Sequence, residues 1–263
     1  MLPEKQEQQA AGNNKQLIKI IRKTIIGFNK KYKMKKRISL IAALVLGISI
    51  AQAQSQRNHS PGTSLGLRGG VNFQNINGKD ENGDDLKNDL LTGFHIGINA
   101  AIPVAPDFYF QPGLLYTIKG AKNKDIVFGE TYTTTLKITY LELPLNFLYK
   151  PSLGKGHLLL GFGPYVALGI GGTSKIDGGG SALSEKIKFK NTVKISDPDD
   201  VAYLKPIDAG ANFLAGYEFS NKVSFQLNAQ LGLLKINPDY EGVTDDKTSA
   251  KNTGFGFSLG YRL

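Results

Sequence analysis

From Ser64 to the C-terminus, apolar residues recur with a period of two, the spacing of strands whose two faces differ. The clearest segment runs Val223, Phe225, Leu227, Ala229, Leu231, Leu233, with Ser224, Gln226, Asn228, Gln230 and Gly232 between them. The last segment repeats the pattern: Phe255, Phe257, Leu259, Tyr261 and Leu263 against Gly256, Ser258, Gly260 and Arg262. Two more alternate as cleanly, Leu65 to Phe73 on odd positions and Phe94 to Ile102 on even ones. Residues 108–119, 133–149, 157–171 and 204–219 complete a set of eight predicted strands. In the second of these the apolar parity slips. Leu136, Ile138 and Tyr140 lie on one face and Leu141, Leu143, Leu145 and Phe147 on the other, so a β-bulge restoring one common face is predicted. Pro112, Pro144, Pro164 and Pro206 fall inside these segments and weaken them, because proline lacks the ladder donor.

The connections alternate in length. Residues 77–90, 120–132, 172–203 and 237–251 read as long polar loops, whereas 104–107, 150–156 and 220–221 are short. An even strand count, alternating loops and two-faced strands together predict an all-β fold: an eight-stranded antiparallel up-and-down transmembrane β-barrel over residues 64–263. Its apolar face would meet lipid and its polar face would fill the interior. Tyr109, Tyr116, Tyr149, Tyr165, Tyr217 and Tyr261 are candidates for interfacial girdles, some of them for packing instead. A soluble lipocalin-like periplasmic barrel is the alternative, and it inverts the faces. Periodicity alone does not separate the two.

The N-terminal region supplies an address. Lys35, Lys36 and Arg37 precede a run of 13 uncharged residues, 38–50, and then Ala51-Gln52-Ala53. This is the layout of a secretory signal peptide cleaved after Ala53. The run is short for a membrane-spanning helix, which needs ~20 apolar residues. Residues 34–53 are thus the expected signal peptide and 54–63 a short periplasmic segment. Residues 1–33 form an extension readable as a basic amphipathic helix or as sequence upstream of the true start at Met34.

Charge then changes meaning. The whole chain carries a net +10, but residues 1–53 hold 11 Lys+Arg and 2 Asp+Glu, leaving 21 and 20 for the body. A near-neutral body gives no electrostatic footprint for nucleic acid. The absence of Cys excludes disulfides and thiol chemistry. His59, His95 and His157 form no metal-ligand spacing. Residues 169–175 hint at a phosphate loop but lack Gly before Lys175. Asp80, Asn82 and Asp84 open like a calcium loop, yet Asp85 replaces the glycine and Leu91 the bidentate Glu, so a solvated acidic turn is expected. No cofactor and no catalytic constellation is expected.

On the membrane reading, Arg68, His95, Gln111, Glu142, Asn146, Asp208, Asn212, Glu218, Gln226, Asn228, Gln230 and Arg262 point into the barrel. Eight strands leave an interior just wide enough for side chains. Buried charges must be paired. A plugged interior is therefore predicted, with Arg68 and Arg262 pairing with Glu142, Asp208 or Glu218. Outside, residues 172–203 are the candidate contact region, through Lys186, Lys188, Phe189 and Lys190. Deleting that loop is expected to leave the barrel folded.

Five segments, residues 65–73, Tyr140-Leu-Glu-Leu-Pro-Leu145, 163–168, 208–212 and 260–263, resemble the PorT-like outer-membrane β-barrel family, over about residues 64–263. The resemblance implies a single eight-stranded outer-membrane barrel and, through the founding member, a role linked to protein secretion. It implies no catalytic residues. The chain departs from a common barrel habit by ending on Leu263, with Tyr261 two positions earlier. The expected function is non-enzymatic interaction through four outer loops, with partners among outer-membrane lipid and lipopolysaccharide, the outer-membrane assembly machinery and a secretion-system or surface protein. A small-molecule-binding or transport barrel, a narrow pore or the soluble form above, is the alternative.

Overall fold

The computed structural model describes residues 62–263 except 128, 244 and 245; the signal peptide and the extension lie outside the described residues. The strands are β1 (Ser64–Lys79), β2 (Leu91–Ala105), β3 (Phe108–Val127), β4 (Glu130–Tyr149), β5 (Ser152–Leu153), β6 (Gly156–Gly178), β7 (Ser181–Lys186), β8 (Lys188–Phe189), β9 (Thr192–Val193), β10 (Tyr203–Leu204), β11 (Ile207–Glu218), β12 (Val223–Gly232), β13 (Asp239–Tyr240) and β14 (Ser249–Arg262). Eight of them pair antiparallel in the circular order β1-β2-β3-β4-β6-β11-β12-β14, and β14 returns to β1. Stepping across the eight pairings from Gly66 leads back to β1 at Ile76, a stagger of ten residues. Such a stagger ties closure to strands tilted by ~35–45°. The ring has no open edge within its closed zone.

The faces decide what surrounds the ring. Ile96, Phe162 and Leu259 point outward and are 60%, 62% and 64% exposed, whereas inward Glu142 and Asp208 are 1% and 0% exposed. A soluble barrel would reverse this, so the apolar belt is a lipid-facing surface. Phe108 stacks on Tyr149 at 4.7 Å, and Tyr217 meets Phe219 edge-on at 5.1 Å. Both pairs sit beside the short turns and form the periplasmic aromatic girdle with Tyr261. Tyr165 is no girdle residue: it is buried inside the barrel.

Three expectations are corrected. Residues 120–132 are no loop, because β3 and β4 run on as a hairpin almost to its tip. Thr131, Tyr132, Thr133, Thr134 and Thr135 favour extended backbone, and polarity disguised them. Likewise β6 continues to Gly178 and turns back through β7. Finally, β4 does not bulge to reunite its apolar residues. Its even positions face inward throughout, and the register shift near Tyr140 places the extra residue on β6. The prolines are accommodated: Pro112, Pro144 and Pro164 lie within β3, β4 and β6, and the ladder skips pairs next to Pro112 and Pro144.

Candidate functional site

The parity slip in β4 is real and has a physical cause. Below it, lipid lies outside, so outward Leu141, Leu143, Leu145 and Phe147 are apolar and inward Glu142 and Asn146 are polar. Above it, water lies outside, so the faces exchange. Ile138 and Tyr140 turn into a buried cluster with Ile76, Ala121, Tyr165, Ala167, Ile187, Leu204 and Ile236. Outward positions become polar on the same strands, as Thr139 and Lys137 on β4, Thr173 and Lys175 on β6, and Thr253 and Lys251 on β14.

Below this cluster the interior is plugged by charge. Lys119 Nζ lies 2.8 Å from a Glu142 carboxylate oxygen and 3.2 Å from Asp208 Oδ2, all three side chains being fully buried. Tyr165 Oη donates to Asp208, and Asn252 Nδ2 reaches Asp208 Oδ2 at 3.0 Å. Gln230 Nε2 bridges Glu142 at 2.7 Å and Asn212 at 2.8 Å. The Lys119 ammonium also sits 4.0 Å from the Tyr165 ring centroid, a cation–π contact. Nearer the periplasm, Glu218 accepts from Lys150 at 2.8 Å and from Arg262 Nε at 2.9 Å. Arg68 is buried, but it makes no ion pair among the described residues. It lines a void of about 30 Å³ with Glu142, His95 and Thr117. The pairing assigned to Arg68 from sequence therefore belongs to Lys119, at the end of the predicted third strand. Its parity with Gln111, Leu115 and Thr117 was the available signal.

The other inward residues form smaller links. His95 Nε2 and Ser258 Oγ are 2.7 Å apart, and Asn228 Nδ2 donates to the same hydroxyl at 2.7 Å. Gln226 Nε2 donates to Ser224 at 3.2 Å. Gln111 and Asn146 are buried opposite one another on β3 and β4. The interior is a packed polar core whose voids hold little more than a water each.

The outer end is capped. Residues 187–204 fold back over the barrel mouth instead of waving in solvent. Ile187 and Leu204 are buried and Phe189 packs against them. Gly169 and Gly172 make room for this, since a Cβ on either would collide with Phe189 or Ile187. Of the four candidate contact residues, Lys186 and Lys188 are exposed. Phe189 belongs to the core, and Lys190 pairs with Asp197 at 2.6 Å. Deleting residues 172–203 would strip the buried cluster, so a cleanly folded deletion variant is no longer expected. The Asp197 carboxyl is held below the ordinary carboxylate range, chiefly by its hydrogen bond from Lys190 and then by the Lys194 backbone N–H. Parallel pairing of β8 with β10 and of β9 with β13, plus Lys205–Asp239 at 3.0 Å, ties the cap to the last loop.

Beside the cap a cup of about 350 Å³ opens between the outer ends of β1, β3, β4 and β6. Ile76, Leu136, Leu204 and Ile236 are among its apolar walls. The turn that began like a calcium loop stands at its rim. There the Asp80 carboxylate is taken by the backbone N–H groups of Asn82 and Asp84, and Asp85 pairs with Lys79 at 3.2 Å. Residues 169–175 are strand, not a phosphate-cradling loop.

Comparison with known proteins agrees with this architecture. The family model described as an outer membrane protein beta-barrel domain matches residues 52–237. No curated protein matches the chain. Among solved structures, Ail, the attachment invasion locus protein of Yersinia pestis, in complex with the heparin analogue sucrose octasulfate, shares 14% identity over 77% of this chain and 100% of that one, with a TM-score of 0.36. Neisserial surface protein A shares 13% identity over the same proportions, with a TM-score of 0.39. With the family match spanning more than half its length, the chain belongs to the outer membrane protein beta-barrel domain family, and the membrane that its apolar belt spans is the outer membrane.

Proposed function

We infer that this protein is a non-enzymatic outer-membrane barrel with a sealed interior that acts through its outer surface. The observation that carries this reading is the exchange of faces at Tyr140 and Leu141. The outer end is a folded, water-facing structure, with long hairpins β3–β4 and β6–β7 and a packed cap. The interior supports no pore, because Lys119, Glu142 and Asp208 fill its centre. The non-enzymatic reading is supported by His95, which bonds Ser258 and lines a void of only about 30 Å³, too small for a substrate.

The lipid partner is lipopolysaccharide. Just above the last lipid-facing side chains Leu141, Ile170 and Phe255, outward Lys137, Lys251 and Lys175, the last also paired with Asp177 at 2.6 Å, place ammonium groups at headgroup height. Stable anionic contacts there follow from charge-assisted hydrogen bonding. The secretion-linked role rests on the outer loops alone. In the Tyr140–Leu145 motif, Leu141, Leu143 and Leu145 face lipid while Tyr140, Glu142 and Pro144 face inward, which is barrel construction. The test is thermal denaturation in nanodiscs with and without lipopolysaccharide, comparing the native chain with a variant carrying Lys137→Gln, Lys175→Gln and Lys251→Gln. Lipopolysaccharide should stabilise the native chain and stabilise the variant less. Equal stabilisation, or a stable selective conductance in planar bilayers, would overturn the reading.

A further inference from the structure

We propose that the outer cup is a binding site for a small uncharged apolar molecule, an aromatic or alicyclic compound, taken from the external medium. This goes beyond the surface role above. It uses the inside of the mouth and not the lipid-facing perimeter, and either reading can fail without the other.

The cup is hollow because small side chains stand in its lining: Ala121 on β3, Ser174 on β6, Ala250 on β14 and Ala202 in the cap. Deeper along β4, the full-sized Ile138 and Tyr140 close the barrel. The volume left, about 350 Å³, is in the range of small-molecule sites and far above the interior voids of about 30 and 40 Å³. The floor is apolar. Ile76, Leu204 and Ile236 belong to the buried cluster, and Leu136 packs against it. Strands and cap hold these residues in place, so an apolar guest meets a formed surface and little has to reorganise. Ile176 and Leu183, paired across the β6–β7 hairpin, carry the apolar lining up the wall. Leu183 is 45% exposed although it stands beyond the lipid-facing belt. Its apolar surface is left to water, and displacing that water favours binding. The charges select neither sign. Asp85 pairs with Lys79 at 3.2 Å, the Asp80 carboxylate accepts from the backbone N–H groups of Asn82 and Asp84, and Glu185 also has a partner. Asp84, Asp125, Lys87 and Lys122 bring both signs to the lining. A charge carried down onto the hydrocarbon floor would lose its hydration with no counter-charge there to replace it. The guest that suits both floor and rim is uncharged.

The probe is benzophenone, which is uncharged and inserts into nearby C–H bonds on irradiation. The full barrel in nanodiscs is irradiated with rising probe, and labelled peptides are quantified by mass spectrometry. Saturable labelling across residues 134–136 and 202–204 is expected. Benzoylbenzoate and aminomethylbenzophenone carry one negative and one positive charge on the same frame, and each should label the cup more weakly by about tenfold. Ala202→Phe adds a ring to the lining and should abolish label at residues 134–136. Label at Leu259, which faces lipid, reports probe dissolved in the bilayer and should stay unchanged. Heat-modifiable migration on gels confirms folding of the variant. Should Ala202→Phe fail that check, Ser174→Phe fills the cup from β6 instead. Absence of saturable label in the cup, label at residues 134–136 that persists in the folded, cup-filled variant, or a charged analogue that labels the cup as well as benzophenone would each overturn the proposal.

Discussion

Lys119→Met tests the plugged interior most directly. The substitution keeps an unbranched stem of similar length and removes one ammonium group. Two carboxylates, Glu142 and Asp208, then remain in a fully buried setting with their ion-pair distances of 2.8 and 3.2 Å lost. Breaking one buried pair by deleting a partner costs about 3–5 kcal/mol, and here two anions are orphaned at once. Gln230, Asn252 and Tyr165 still solvate them by hydrogen bonds, which holds the loss near that range and prevents a larger one. For contrast, Lys124–Asp89 spans 3.1 Å with side chains 62% and 56% exposed, so Lys124→Met should cost ~0–1 kcal/mol. The chain has no Trp, so the assay is far-UV circular dichroism in detergent micelles across a urea series, with the cold-gel mobility shift as a second measure of folding. The reasoning also predicts rescue. Combining Lys119→Met with Glu142→Gln and Asp208→Asn removes all three charges and should recover most of the loss. An unchanged midpoint for Lys119→Met, or a neutralised triple variant no more stable than the single one, would refute the network as the centre of the interior.

Further outcomes follow from the other elements. Gly169→Ala should push Phe189 out of its seat, so trypsin should cut at Lys188, Lys190 and Lys194 faster while the barrel's gel mobility is kept; unchanged cleavage would sink the seating argument. Asp197 has a folded pKa below its unfolded value of ~3.9, so its contribution to the cap is present above that value and fades as pH falls through the folded pKa. Amide exchange across residues 192–198 should therefore accelerate, relative to its intrinsic rate, only below about pH 4; acceleration already at neutral pH would contradict the assignment. Ile96→Arg, on the lipid-facing side of β2, should destabilise by about 2–4 kcal/mol if its depth is central, where a soluble barrel would tolerate it, and the urea midpoint decides.

Sequence periodicity exposed the ring well wherever one environment acts along a whole strand. β12 and β14 keep lipid on one side and polar packing on the other for most of their length, so their alternation survives unbroken. It misled where the environment changes mid-strand. In β4 the slip at Tyr140–Leu141 is indistinguishable in sequence from an inserted residue, and only the absolute inside and outside resolve it. The hairpin arms of β3 and β4 were hidden for a related reason. Their outward face meets water and their inward face lines the open cup, with only Ala121 and Leu136 joining the buried cluster, so apolar alternation fades there although β-branched threonines remain. Of the interior, Glu142, Asp208, Glu218 and Arg262 were readable from parity. Lys119 was obscured because it stood at an assumed strand end, and Lys150 because it lies in a turn. The cap was not legible, since Ile187 and Phe189 find Gly172 and Gly169 only through tertiary packing.

The exchange of faces in β4 also acts as a depth gauge. Outward side chains on one strand are ~6.6 Å apart along its axis, twice the rise per residue. Sinking the barrel by two such steps would drag Lys137 into hydrocarbon, at a cost of up to ~2–4 kcal/mol for each lysine so moved. Raising it would lift Leu141 into water, and Ile170 and Phe255 with it. The same pair of penalties operates on β6 and β14, at separate points of the perimeter. The barrel is thereby fixed in height and in tilt, and a thinner bilayer must deform toward the protein more readily than the protein can shift to meet it.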